Sequence, residues 1–228
     1  PAIFILRKKK KDIVVCVVFL IMPFLFYLYG SSYKKKFNSS DVVNYEYKVR
    51  AIASNISLDR FYSNIDPVSV INELIDISQP IKDDKTIFVW PEGILPDVSQ
   101  EELIEFKWLF EEVFSKNHLL LIGINSQKIN KEKIKYFNSL SIYDHNLEIL
   151  DSYNKINLVP FGEFLPFENF LKKFGLSVIT NNYQSFSKGE DRKIIDIKRD
   201  NFSLKILPLI CYEIIYSGKI FKNQSFDL

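Results

Sequence analysis

Hydrophobic and polar positions separate along this chain in two ways. Residues 13–29 form a run of 17 without a single charge, which is the short end of a bilayer-spanning helix. Pro23 falls inside it, a position that a soluble core helix tolerates poorly and a membrane helix more readily. The run also has the form of a signal-peptide core, but no small-x-small cleavage site follows, and another apolar run, residues 2–6, precedes the basic cluster. A transmembrane helix over residues 13–30 is therefore expected. The five cations of residues 7–11 outnumber the three of residues 34–36, which places the N-terminal side in the cytoplasm and everything after the span outside it.

Beyond a polar tether at residues 31–44, short apolar runs alternate with helical patterns, the signature of an α/β domain. A first strand is expected at residues 47–53. Asp66 and Pro67 have the form of an N-cap and first helical residue, opening a helix to about Ser78. Residues 86–90 are nearly all apolar, as in a strand covered on both faces. Ser99 and Glu102 form a capping box that predicts a helix to about Lys116, with Leu103, Phe106, Leu109, Phe110 and Val113 as its core stripe. Residues 119–124 make another buried strand. Residues 136–143 and 147–153 form an antiparallel pair around Asp144, His145 and Asn146, and residues 194–197 and 202–210 form a second pair turning at 199–201.

Three islands end or follow these apolar runs: Trp90-Pro91-Glu92-Gly93, Tyr153-Asn154-Lys155 and Ile210-Cys211-Tyr212-Glu213. They supply a carboxylate, an ammonium and a thiol. A thiol is mostly protonated at neutral pH, so as a nucleophile it needs a base, and a fixed cation can stabilise charge on an attacked carbonyl. Each island alone reads more readily as packing or surface than as catalysis. Together they allow acyl transfer through a thioester. Placed at the carboxyl ends of their strands, Glu92 and Cys211 are expected to converge on one cleft.

The wider strings are Phe88-Val89-Trp90-Pro91-Glu92, then Lys155 followed by Val159-Pro160-Phe161-Gly162-Glu163-Phe164-Leu165-Pro166, then Leu209-Ile210-Cys211-Tyr212-Glu213. Over most of residues 45–228 they resemble the nitrilase (carbon-nitrogen hydrolase) superfamily and, within it, the apolipoprotein N-acyltransferase branch. The resemblance implies an αββα sandwich with Glu92 as general base, Lys155 as oxyanion partner and Cys211 as nucleophile, supported by Glu163, Tyr212 and Glu213. It implies a phospholipid acyl donor, a diacylglyceryl-modified apolipoprotein as acceptor, no cofactor, and a catalytic domain on the periplasmic side of a bacterial inner membrane. A membrane-anchored amidase and an inactive fragment are the alternatives. Relative to the family pattern, residues 1–12 read as the end of a preceding membrane segment with a basic loop, and residues 45–228 as an incomplete catalytic domain without turnover by itself. Where the family shows Gln-x-Asn-Ile-Pro-Gln and then Trp, this chain has Ala53-Ser54-Asn55-Ile56-Ser57-Leu58, with Tyr62 near the Trp position.

Charge narrows the classes further. Setting aside the eight cations and one aspartate of residues 1–36, the rest carries 22 basic against 27 acidic side chains, a net of −5. Nucleic-acid binding has no electrostatic footprint in such a domain. Cys16 lies in the apolar run and Cys211 in an island, so no disulfide framework is expected. His118 and His145 stand far apart with no ligand-spaced partner, which argues against a metal site and reads as surface or strand-end histidine.

Overall fold

The computed structural model describes residues 10–39, 44–54, 66–130, 133–167, 185–199, 201–219 and 225–228. Asn55 to Leu58, Tyr62 and the cations at positions 7–9 lie outside them. The chain divides into two units, residues 1–45 and 46–228.

The first unit is one helix, α1 (Lys10–Asn38), which is continuous through Pro23. Within its segment Ile13–Asn38 an 18-residue window has a mean hydropathy of 2.5 and holds no buried residue, and the helix is long and apolar enough to cross a membrane. The expected tether is shorter than residues 31–44, because the helix continues to Asn38. Tyr33 and the three lysines are compatible with helix, and no proline or glycine interrupts them after Gly30. Lys35 and Lys36 sit in the last turn, where cations suit the helix dipole. Ser39 closes the end, donating from its N to Lys35 O and from Oγ to Lys36 O.

The second unit is organised by a five-stranded sheet in the order β1 (Lys48–Ala51), β2 (Thr86–Trp90), β3 (His118–Asn130), β4 (Lys133–Tyr143), β5 (Ile149–Asn154). β1, β2 and β3 run parallel, while β4 and β5 are antiparallel. The period-2 alternation of the central strands sorts their side chains to two cores. Phe88, Trp90, Leu120, Ile122 and Ile124 face α2 (Pro67–Ser78) and α3 (Lys107–Glu111). Ile87, Leu119, Leu121, Ile142 and Tyr153 face a two-stranded sheet, β6 (Ile195–Arg199) and β7 (Phe202–Ile206), which contributes Ile195, Ile197, Phe202, Leu204 and Ile206. The layers are helices, sheet, sheet, three of the four in an αββα sandwich. Among the described residues no helix covers the outer face of β6 and β7.

α2 forms as its ends dictate. Asp66 accepts from Val68 N, Pro67 opens the helix, and Val70, Ile71, Leu74 and Ile75 are its buried face. The capping box is half made: Glu102 Oε2 accepts from Ser99 N at 2.8 Å, which holds the Glu102 carboxyl below its usual pKa. The helix it opens differs from expectation, being a 3-10 turn (Leu103–Phe106) followed by α3, which stops at Glu111. Val113 N and Phe114 N both turn back onto Phe110 O. That turn lets Phe114 stack on Phe110 and meet Phe88 edge-on, a burial that outweighs another helical turn. His118 is not a surface residue: it is 1% exposed at the start of β3. Its Nδ1 accepts from Ser115 N and its Nε2 lies 2.9 Å from Ile81 O, and burial pushes its pKa down.

Candidate active site

Glu92 stands two residues past β2, where Pro91 takes the chain out of the sheet. The backbone there rests on β3. A Cβ at Gly123 would lie 2.6 Å from Glu92 Cα and 2.8 Å from Glu92 N, so only glycine lets the two backbones approach this closely. Lys155 follows directly on β5, its N donating to Asn138 O at 2.8 Å and its O accepting from Gly189 N at 2.9 Å. Any side chain at Gly189 would collide with Asn154 O. Beneath this segment Asn154 Oδ1 accepts from Ser139 Oγ at 2.7 Å, and Ser126 Oγ bonds Ser139 Oγ. The lysine is thus held from both backbone atoms and from below.

The Lys155 side chain is 1% exposed. Its Nζ lies 2.9 Å from Glu163 Oε1 and 3.3 Å from Glu92 Oε1. Asn138 Nδ2 bridges the same two oxygens at 2.6 and 2.5 Å. Burial alone would lower the pKa of the ammonium, but the hydrogen bonds and charges of Glu163 and Glu92 outweigh it and hold the pKa above its ordinary value. The two carboxylates differ in what remains of them. Glu163, with 12% of its side chain exposed, spends Oε2 on Val159 N at 2.8 Å; it caps the turn and contacts the lysine. Glu92, 34% exposed, takes no hydrogen bond on Oε2 among the described residues.

Cys211 is not at a strand end. β7 stops at Ile206, Pro208 has no N–H to continue a ladder, and Cys211 opens a 3-10 helix (Cys211–Lys219). Its φ of 53° is left-handed, a conformation that costs a non-glycine residue energy and clusters at functional sites. The side chain is exposed. Among the described residues no hydrogen bond joins Sγ to Glu92 or Lys155.

The two residues after it join the Cys211 turn to the Lys155 segment. Lys155 Nζ lies 5.6 Å from the centre of the Tyr212 ring, and Tyr212 Oη donates to Leu158 O. Glu213, fully buried, accepts from Ile156 N, Asn157 N and Ile210 N, each at 3.0 Å, and from Tyr153 Oη, and pairs with Arg192 at 2.7 Å. Burial and then the Glu213 charge push the Tyr153 pKa up to about 12, so this hydroxyl remains a donor. The six residues singled out in the sequence therefore lie on three segments, after β2, after β5 and at the Cys211 turn, and contacts of Glu92 with Lys155 and of Glu213 with Ile156 N and Asn157 N join them around Lys155.

Four further residues complete the arrangement: Asn138, Arg192, Gly123 and Gly189. A lone glycine in the apolar run of residues 119–124 is a sign of close backbone approach, and a lone asparagine within β4 is a sign of a buried polar contact. Gly123→Ala is expected to push Glu92 away from Lys155 while leaving the fold intact, with a loss of about 10²-fold for a displacement near 1 Å. Turnover measured alongside the thermal midpoint checks this. Unchanged turnover would mean that Gly123 does not set the position of Glu92.

The sheet-on-sheet α/β fold, with Glu92, Lys155, Glu163 and Cys211 in this chain order, has the form expected of the nitrilase, or carbon-nitrogen hydrolase, class. No family model matches the chain. In sequence it is homologous to apolipoprotein N-acyltransferases. It is 32% identical over 186 residues to that of Wigglesworthia glossinidia brevipalpis, covering 77% of this chain and 34% of the relative. It is 27% identical over 186 residues to that of Allorhizobium ampelinum, covering 78% and 34%. The chain spans about a third of the length of these relatives. Among solved structures it is similar to the NitN amidase of Nesterenkonia sp. AN1, with a TM-score of 0.35, 16% identity, and coverage of 64% of this chain and 52% of the amidase.

Proposed function

We propose that residues 45–228 belong to the catalytic domain of an N-acyltransferase that carries its acyl group on Cys211. In the first half-reaction Glu92 Oε2 takes the thiol proton and Sγ attacks the ester carbonyl of a phospholipid. Lys155 stabilises the oxyanion. The carbon–oxygen bond then breaks, and the lysophospholipid oxygen leaves with the proton held by Glu92. In the second, the α-amine of a diacylglyceryl-Cys apolipoprotein attacks the thioester and gives a proton to Glu92. The carbon–sulfur bond breaks, an amide forms, and the proton returns to Cys211.

The observation that carries this reading is the buried Lys155 between Glu92 and Glu163, joined through Glu213 to the turn that bears Cys211. Glu163 and Asn138 hold the lysine, Tyr212 packs beside it, and Glu213 aims the turn. The homologous relatives supply the choice of acyl chemistry. The apolar α1 supplies the membrane: with the cation bias of its flanks, the domain lies on the periplasmic face of an inner membrane, where both lipid-anchored substrates are found.

Incubating the protein in bilayers with phospholipid carrying a labelled acyl chain should give a hydroxylamine-sensitive adduct on Cys211, lost in Cys211→Ser. Transfer of label to a diacylglyceryl-Cys peptide supports the acyltransferase. Release of free fatty acid in its place would mean that water resolves the thioester, and a label that persists in Cys211→Ser removes the nucleophile assignment.

A further inference from the structure

The β3–β4 hairpin is longer than the sheet that carries it. β2 covers β3 only to Ile122, with one further bridge from Ser99 to Asn125, and β5 covers β4 only from Ser139 onward. Past the Asn125–Asn138 pair the strands bond to each other through Lys128–Lys135 and Ile129–Ile134, an arm of about 17 Å at the usual rise per residue. Because β3 runs parallel to β2, the arm leaves the sheet at the end where Glu92 follows β2. Its two faces are unlike. Asn138 reaches Glu92 and Glu163, and two residues outward on the same face Gln127 and Tyr136 line a 330 Å³ cavity with Asp97, Glu102 and Phe186. Two residues further on that face stand Ile129 and Ile134, 78% and 51% exposed. The opposite face carries Lys128 and Lys135, both exposed, with Lys128 Nζ 5.9 Å from the centre of the Phe137 ring.

Single exposed isoleucines are ordinary. A cross-strand pair of them at the end of an arm, flanked by cations on a domain whose net charge is −5, is a more specific feature. The sequence between them adds Lys131 and Lys133 against Glu132. Apolar side chains among lysines match the headgroup boundary of an anionic bilayer, which attracts basic segments within a Debye length of its surface. The occupant is also within reach: from Asn38 to Lys48 the chain spans at most about 35 Å, so a bilayer crossed by α1 is always close to the domain.

We propose that the tip of the β3–β4 hairpin, Ile129 and Ile134 with Lys128 and Lys135, docks on the anionic phospholipid surface of the bilayer that α1 crosses. The docking keeps the Glu92 end of the sheet against lipid, so that an acyl chain can enter the cleft without crossing water. This rests on α1 being a bilayer anchor and is independent of which atom carries the acyl group.

The test uses the full chain with both cysteines replaced (Cys16→Ser, Cys211→Ser) and one fluorophore-labelled cysteine at a time: Ile129→Cys at the tip, Phe24→Cys within α1, and Asp83→Cys at the other end of the sheet. Each is reconstituted with a lipid-borne quencher in phosphatidylglycerol-containing or purely phosphatidylcholine vesicles. The expected result is quenching at 24 in both, none at 83, and quenching at 129 that needs phosphatidylglycerol. It should be lost with Lys128→Glu and Lys135→Glu, and at about 1 M salt, where the Debye length falls to about 3 Å. Quenching at 129 no greater than at 83, with 24 quenched, overturns the docking alone. An unquenched 24 overturns the anchor and the docking with it. A signal at 129 that follows protein density in the vesicle and not lipid charge would mean that a second copy covers the tip, and overturns the proposal too.

Discussion

Glu92→Gln is expected to stop both half-reactions, with a loss of about 10²–10⁴-fold in each, the range that a positioned general base contributes. Glutamine keeps the volume of the side chain and can still accept from Asn138 and Lys155 through its carbonyl oxygen, so the fold should be unaffected. What it cannot do is take a proton. The choice between Glu92 and Glu163 follows from their free valences. Glu163 gives one oxygen to Lys155 and Asn138 and the other to Val159 N. Among the described residues Glu92 is contacted only at Oε1, which leaves Oε2 for the proton of a thiol or an amine. Single-turnover capture of a labelled acyl chain reads the first half-reaction, and its transfer to a diacylglyceryl-Cys peptide reads the second. A variant that captures acyl at the wild-type rate would move the role of base to another group. If only the second step fails, the thiol is activated without Glu92 and the carboxylate serves the amine alone.

The parts of this architecture that depend on local pattern were legible in the sequence. Asp66 and Pro67 fix the start of α2 because capping and a preset φ act within one turn, and residues 86–90 announce a buried strand by being apolar on both faces. The antiparallel pairs around residues 144–146 and 199–201 are also local. Parts that depend on distant packing were not legible. The helix after the capping box ends at Glu111 because Phe114 must reach Phe88 and Phe110, a demand that periodicity within the helix does not express. The lysine-rich end of α1 was expected to be tether because its charges suggest solvation, yet charge is compatible with exposed helix. The site divides in the same way. Glu92, Lys155 and Cys211 stand out as chemistry at the ends of apolar runs, whereas Asn138 and Arg192 act only through residues far along the chain. Cys211 lies beyond its strand because Pro208 ends the ladder, a local signal that the apolar run of residues 202–210 masked.

Glu213→Ala is expected to be the most destabilising single change in the catalytic domain. The carboxylate is fully buried and is the common acceptor of Ile156 N, Asn157 N, Ile210 N, Tyr153 Oη and the Arg192 guanidinium. Removing it leaves a cation whose side chain is only 10% exposed without its counter-charge, and leaves backbone donors without partners. Breaking one side of a buried ion pair costs about 3–5 kcal/mol, a large part of the roughly 5–15 kcal/mol that holds a domain folded. The thermal midpoint should fall by about 6–20 °C for a domain of this size. The same deletion separates the Cys211 turn from the backbone that follows Lys155, so acyl capture should fall even at temperatures where the variant is folded. Arg192→Met separates the two effects. Alone it leaves the carboxylate without its counter-charge and is also destabilising; combined with Glu213→Gln it removes both charges and keeps an acceptor for Ile156 N and Asn157 N, while Ile210 N loses the second oxygen. That double variant should recover part of the stability, as paired removal of buried charges does, less the cost of the one backbone donor left without an acceptor. A Glu213→Ala protein that melts at the wild-type temperature would show that the network contributes neither stability nor the position of the turn.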